Sequence, residues 1–279
     1  MIHVETRDIF SLPTSYFEGF DIIIGTDLPI QGLNTLNAHA RMCKKAFYAA
    51  ASHGMYGYVF ADLIEHTYVI TRAKSNVPTK PGPETATRTI LTSTTEKQNG
   101  KDVELVQKRE SYQPLILANT SPLPQSYLDS TRRLRNVTPL LPCLRALWEF
   151  EKTVVPLRNL SATSSADFAT FKSLASQMGR ELQLPASSLT DAFISAFLTN
   201  LHAELSPVCA FLGAQLAQDV INVLGNREQP IQNMLLFDAE ESLAPVYALY
   251  PVYAVPDGGM RQTKAMSPTV LNSPPSLRI

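Results

Sequence analysis

The side chains able to act as nucleophiles or to hold a metal are few in this sequence. Three cysteines occur, Cys43, Cys143 and Cys209. None forms a C-x-x-C pair, and an odd number argues against a disulfide framework or a zinc site. Cys209 lies two residues after Pro207, where a helix start can lower a thiol pKa, but its apolar neighbours predict a buried thiol. Cys43 and Cys143 fit packing positions on amphipathic helices. His53 precedes Gly54 with no serine or carboxylate beside it in sequence, so a hydrogen-bonded loop role is expected rather than general-base chemistry. His66 follows Glu65, and a metal would need further ligands at matched spacing. Asp27 closes the run "GFDIIIGTD" (19–27). Open α/β sheets bind ligands at such strand ends, so Asp27 is the candidate cofactor-edge carboxylate; the competing role is a helix N-cap or loop carboxylate.

Phosphate chemistry would need other signals. No G-x-G-x-x-G or G-x-x-x-x-G-K run occurs. The nearest is Gly54-x-x-Gly57, which joins strand to strand. The cluster "RRLR" (132–135) could serve a phosphate or an acidic partner, with a solvated helix face as the expected role. Net charge is -1, which excludes a general nucleic-acid binder with its basic stripe. No signal-peptide pattern opens the chain, and no run reaches the roughly 18 apolar residues of a membrane span. The expectation is a soluble intracellular protein that contacts neither nucleic acid nor membrane.

The elements that must position these residues follow from periodicity. Residues 19–27 predict a buried strand, "LPIQGLNTLNAHARMCKKA" a helix, and 47–54 a second strand, together a βαβ unit. Residues 56–63 and 66–73 predict strands running out of that sheet. Residues 74–88 predict a loop, and Asn99-Gly100 a hairpin turn. Helices are predicted at 139–154, 164–183, 187–203 and 207–224, and strands at 233–238 and 245–251. From Pro256 the periodicity is lost, so 256–279 is expected to be a disordered tail.

The stretch "HAELSPVCAFLGAQLAQDVINVLG" (202–225) predicts a helix with Ser206 as N-cap, Pro207 at its first position and Gly225 at its stop. Leu212, Leu216, Val220 and Val223 form a large apolar band. Ala210, Gly213, Ala214 and Ala217 form a smooth band beside it, with Gln215, Gln218, Asp219 and Asn222 opposite. The smooth band suits close approach of another backbone, either the chain's own sheet or a second subunit.

The stretches "HAELSPVCAFLGAQLAQDVINVLGNREQPIQNMLLFDAEES", "FYAAASHGMYGYVFADLIEHTYVITRAKSNVPTKPGPETATR" and "TPLLPCLRALWEFEK" resemble the small, non-catalytic subunit of the SUMO-activating enzyme, a ThiF/MoeB-like adenylation fold. The resemblance runs from about residue 1 to 251. It implies an α/β, partial Rossmann-like fold with a mixed sheet over 1–255, a helical and hairpin insert at about 75–160, and the tail. It implies a heterodimer whose large partner carries the nucleotide loop, the thioester cysteine and a ubiquitin-fold domain, and adenylates SUMO with ATP and Mg. This chain then binds no cofactor alone, meets SUMO indirectly, and works in the nucleus, with the cytoplasm as a second location. The resemblance begins at the middle of that fold, so a fragment or shortened form is expected, and no catalytic residue is carried over. It favours the subunit contact for the helix at 207–224, through Ser206, Pro207, Gly213, Ala214, Ala217 and Gln218. The alternatives are an inactive fragment, or the scaffold subunit of a related NEDD8- or ubiquitin-activating enzyme.

Overall fold

Short apolar runs build the first sheet. In the computed structural model, which describes residues 3–153, 164–201 and 203–251, β1 (Ile22–Thr26) and β2 (Ala46–His53) pair in parallel. The 13-residue α1 (Ile30–Met42) crosses between them and buries Leu33, Leu36 and Ala40, which is the βαβ unit expected from the sequence. β2 then doubles back through Gly54 into β3 (Tyr56–Asp62), and β3 pairs antiparallel with β8 (Met234–Asp238), which pairs with β9 (Val246–Tyr247). The order β1-β2-β3-β8-β9 places β3 at the centre. This corrects the expectation that residues 56–63 leave the sheet. Every residue of β3 is buried, because large side chains point to both faces and both faces are covered.

On one face Tyr48, Ala50, Val59 and Ala61 pack with α8 (Ser206–Leu224). On the other, Phe47, Ala49, Tyr58 and Phe60 join α1, α5 (Leu140–Thr153) and α7 (Asp191–Asn200) in the main core. Tyr58 meets Trp148 of α5 edge-on at 5.3 Å. The helix α6 (Ser165–Glu181) buries Phe171 and Ala175 in the same core. The predicted helix at 187–203 starts later, at Asp191, because the Thr190 side chain accepts from the Phe193 N–H and caps it there.

After Asp62 the chain enters a second, four-stranded sheet of order β4-β7-β6-β5, from β4 (Glu65–Ala73), β5 (Gly82–Pro83), β6 (Arg88–Gln98) and β7 (Lys101–Ser111). Asn99 and Gly100 join β6 to β7 with positive φ of 51° and 76°, the two-residue mirror-image turn that matches strand twist. The short helices α2 (Leu115–Thr120), α3 (Gln125–Leu128) and α4 (Thr131–Arg135) lead back to α5. The segment 75–160 therefore divides: its strands join a sheet that begins at Glu65, and α5 belongs to the main core. The tail expected at 256–279 lies outside the described residues.

The second sheet is charged on its covered face. β7 buries Glu104, Lys108 and Glu110 and half-buries Val103 and Leu105. Arg72 pairs with Glu104 at 2.9 Å, Lys108 with Glu84 at 2.7 Å, and Arg88 with Glu110. Hydrogen bonds from Thr79 and Ser93, then Arg72, hold the Glu104 carboxyl down to about 2. The stretch 74–88 thus supplies partners for buried charges as well as a connection.

Two carboxylates fix the frame. Asp62, with no exposed surface, accepts from Arg41 Nε at 2.6 Å and Nη2 at 2.9 Å, from Asn37 Nδ2 at 2.7 Å, and from the Ile64 N–H at 3.1 Å. Arg41 also donates to the Tyr112 carbonyl at 2.7 Å, and Asn37 accepts from the Leu115 N–H at 2.8 Å. The second carboxylate, Glu151, sits at the start of α1. Pro29 occupies the cap position there and offers no side-chain acceptor. Glu151 of α5 accepts from the Ile30 N–H at 2.8 Å instead, and burial pushes its carboxyl above the usual carboxylate range.

Asp62→Ala is expected to cost about 3 kcal/mol in urea unfolding at pH 7, because Arg41 and Asn37 lose their shared acceptor. A loss under about 1 kcal/mol would mean that water replaces the carboxylate at the Arg41 contact, whose side chain is 27% exposed. At α1, Glu151→Gln keeps an acceptor and removes a buried charge. The wild type carries the cost of that charge above its raised folded pKa and sheds it as pH falls toward the unfolded value of about 4.3. The Gln variant should therefore match or exceed wild-type stability at pH 7.5 and lose ground to it by pH 4.5. Glu151→Leu should be about 1–2 kcal/mol less stable than Glu151→Gln at both pH values, since the Ile30 N–H goes unpaired.

Candidate subunit interface and the cleft at the strand ends

The helix α8 begins one residue earlier than its sequence suggested. Leu205 is the N-cap and makes no side-chain cap bond, so Ser206 is the first helical residue and Pro207 the second. Pro207 is as well tolerated there, because a missing N–H anywhere in the first turn is a donor without an intrahelical partner. At the far end Gly225 keeps a right-handed φ of -83°, and Asn226, at φ 50°, makes the left-handed turn. Asparagine tolerates that conformation better than most side chains.

Val208, Leu212, Asp219 and Val223 face the sheet. The polar residue of this set corrects the sequence reading, which put Asp219 on the opposite side. Asp219 is buried, accepts from the Tyr48 hydroxyl at 2.8 Å and from the Ile231 N–H at 2.8 Å, and burial raises its carboxyl. It lies seven residues, close to two turns, after Leu212 and so shares its face. Gln215, Gln218 and Asn222 hold one flank. The side facing away from the sheet is apolar: Ser206, Pro207, Ala210, Gly213, Ala214 and Ala217 are exposed, and Ile221 and Leu224 are each 62% exposed.

The close approach inside the chain is at Gly57, where a Cβ would meet Leu212 Cδ1 at 2.4 Å and the Ala51 carbonyl at 2.9 Å. A Cβ on Gly213 would meet nothing within 4 Å. The smooth band therefore does not meet the chain's own sheet. Ser206–Leu224 is also long and apolar enough to cross a bilayer by length and composition, contrary to the expectation from apolar runs. Its small residues raise that composition, while Asp219 and the Val208, Leu212 and Val223 set pack on the sheet.

At the C-terminal ends of β1 and β2 lies a cleft of roughly 290 Å³, lined by Asp27, Ser52, His53, Trp148, Glu151 and Glu204 among others. Asp27 is exposed at φ 49°, and its N–H donates to the Ala50 carbonyl at 3.1 Å. It is not the cap of α1, which Glu151 serves. Its place matches the strand-end position predicted for it. The lining holds three carboxylates and the Trp148 and Tyr58 rings, and no lysine or arginine.

The glycine pair nearest to a phosphate fingerprint is a packing device. Gly54 holds φ 59°, and a Cβ there would lie 1.9 Å from Asn200 Oδ1. That oxygen accepts from the Met55 N–H at 3.1 Å, and the Gly54 N–H donates to the Ala203 carbonyl at 2.7 Å. The end of α7 thus closes on Gly54 and α8 on Gly57.

The remaining candidates stay apart. His53 lines the cleft with its ring 6.0 Å from Phe197. His66 stacks on Tyr68 in the second sheet, and burial lowers its pKa. Cys209 is half-buried rather than buried, its Sγ 3.4 Å from Ser52 Oγ. Cys143 is buried, which pushes its thiol up. Among the described residues no group of three His, Cys, Asp or Glu side chains could hold a metal. Sequence reasoning missed Glu151 and Asp219. The absence of a capping side chain before "IQGLN" is the one signal that an acceptor had to come from elsewhere.

No family model matches the chain. It is 30% identical over 242 residues to DNA damage tolerance protein RHC31 of Saccharomyces cerevisiae, an alignment that covers 85% of this chain and 67% of that protein. It is 24% identical over 250 residues to DNA damage tolerance protein rad31 of Schizosaccharomyces pombe, covering 89% and 67%. It is 25% identical over 255 residues to SUMO-activating enzyme subunit 1 of Bos taurus, covering 90% and 69%. The chain spans about two thirds of the length of these relatives. The mixed α/β sheet and the alignments over most of the chain agree with the resemblance of its long motifs: the chain belongs to the family of small subunits of the SUMO-activating enzyme.

Proposed function

We propose that this chain is the non-catalytic half of a heterodimeric SUMO-activating enzyme. The large subunit binds ATP and Mg, adenylates SUMO and forms the thioester; this chain docks on it, completes the adenylation assembly and meets SUMO only indirectly. On this reading the chain works in the nucleus, with the cytoplasm as a second location. The observation that carries the reading is the outer face of α8. Ser206, Pro207, Ala210, Gly213, Ala214 and Ala217 let another backbone approach closely, Ile221 and Leu224 add apolar area, and Gln218 lies at the rim. Such a face is costly to leave in water and suits the core of a subunit contact.

Chemistry supports the division of labour. The acidic cleft beside Asp27 suits a phosphate poorly, and the buried Cys143 thiol is disfavoured as a thiolate. Asp27 then serves the assembly at a strand end rather than holding a nucleotide alone.

Co-expression with the large subunit of the same species should give a 1:1 complex that forms an ATP-dependent SUMO thioester on the large subunit. Ala217→Arg with Ile221→Arg should lower complex recovery at least tenfold while the melting temperature of the isolated chain changes little, since both sites are exposed. Undiminished recovery, or a thioester on this chain, would overturn the reading.

A further inference from the structure

The "RRLR" stretch is not absorbed by the subunit contact. Arg132, Arg133 and Arg135 of α4 are all exposed. Leu134 packs against the core, so at about 100° per residue the three arginines fan over the outer sides of the turn. Among the described residues no carboxylate lies within 4.0 Å of their guanidinium groups. Arg41, Arg72, Arg88 and Lys108, by contrast, are all paired. Cations at a helix end normally complement its dipole. α4 has only five residues, and its Arg133 and Leu134 carbonyls already accept from the Asn136 N–H. The helix itself therefore does not account for three charges.

Beside them is an open cavity of roughly 270 Å³, lined by Tyr127, Arg133, Asn136, Pro245 and Tyr247. Arg133 is held at its wall, Nη1 donating to the Ser126 carbonyl at 3.2 Å. The Tyr127 and Tyr247 rings stand 5.6 Å apart. The cavity thus combines guanidinium and amide donors with aromatic walls. Arg133 still has donors to spare, because a guanidinium carries five N–H groups.

We propose that α4 and this cavity form a docking site for an extended acidic peptide segment of a protein partner. Charge complementarity names the occupant. Same-side residues of an extended chain repeat every ~6.6 Å, which suits cations fanned around a turn better than one phosphate group would. The aromatic walls take a side chain. The chain's net charge of -1 argues against a nucleic-acid backbone as the occupant.

The probe is a fluorescein-labelled decapeptide of alternating Glu and Ser, titrated with the whole 279-residue chain and read by fluorescence anisotropy. Saturable binding is expected at 50 mM salt, at least fivefold weaker at 300 mM. Replacing Arg132, Arg133 and Arg135 together by Gln should weaken it at least tenfold. Arg133→Lys should weaken it at least threefold, since a point charge does not replace the guanidinium fork. The pair Lys97→Gln and Lys101→Gln, at the exposed β6–β7 tip, should stay within twofold of wild type. If the triple variant melts more than a few degrees low, Arg132→Gln and Arg135→Gln made singly carry the test, each with at least a twofold loss. No binding at 50 mM salt, unchanged binding by the arginine variants, an equal loss in the lysine control, or tighter binding of a ten-nucleotide single strand would each overturn the proposal.

Discussion

One carboxylate without solvent decides how the two sheets meet. Asp62 ends the central strand in full burial, and a buried charge persists only when paired and hydrogen-bonded. Its partners come from α1, through Arg41 and Asn37, and from the turn into β4, through the Ile64 N–H. Those partners then bind the Tyr112 carbonyl and the Leu115 N–H, where the chain returns from the second sheet. The departure, the return and the crossover helix are thus held at one point. With them fixed, β3 can take helices on both faces, and α8 can lie across β2 and β3 at Gly57.

The helix α8 serves two environments. Inward it anchors through Leu212 against Gly57 and through Asp219 to Tyr48 and Ile231. Outward it presents small residues and then Ile221 and Leu224. Its end is tied to the second sheet: the Val69 N–H donates to the Asn226 carbonyl and the Glu228 N–H to the Val69 carbonyl. A subunit seated on the outer face would therefore press on a helix joined to both sheets.

Much of this was legible from residues. The βαβ unit followed from two apolar runs with a helical spacing between them, the Asn99-Gly100 hairpin from its turn chemistry, and the family from its long shared stretches. The centrality of β3 was not, since a strand apolar on both faces does not announce its neighbours. Nor was the burial of charge in β7: Glu104, Lys108 and Glu110 point inward beside Val106 because Arg72, Glu84 and Arg88 meet them there. Asp27 could be placed at a strand end from sequence, but Glu151 could not be placed at the start of α1. Its partner lies 121 residues away, and periodicity carries no information over that span. Asp219 was misplaced likewise, because its polarity outweighed its helical position.

The place of β8 beside β3 has a consequence for synthesis. β3 is complete at residue 62, yet the strand that covers its far edge begins only at residue 234. At ribosomal rates of about 5–20 residues per second, that edge waits for roughly 9–35 s. During that time the nascent chain displays "YGYVFA", an apolar strand with one row of backbone donors and acceptors unmet. Such an edge is a template for pairing with a neighbouring chain. The central strand of the finished fold is thus its most exposed liability on the ribosome, and the stretch where chaperone binding would matter most.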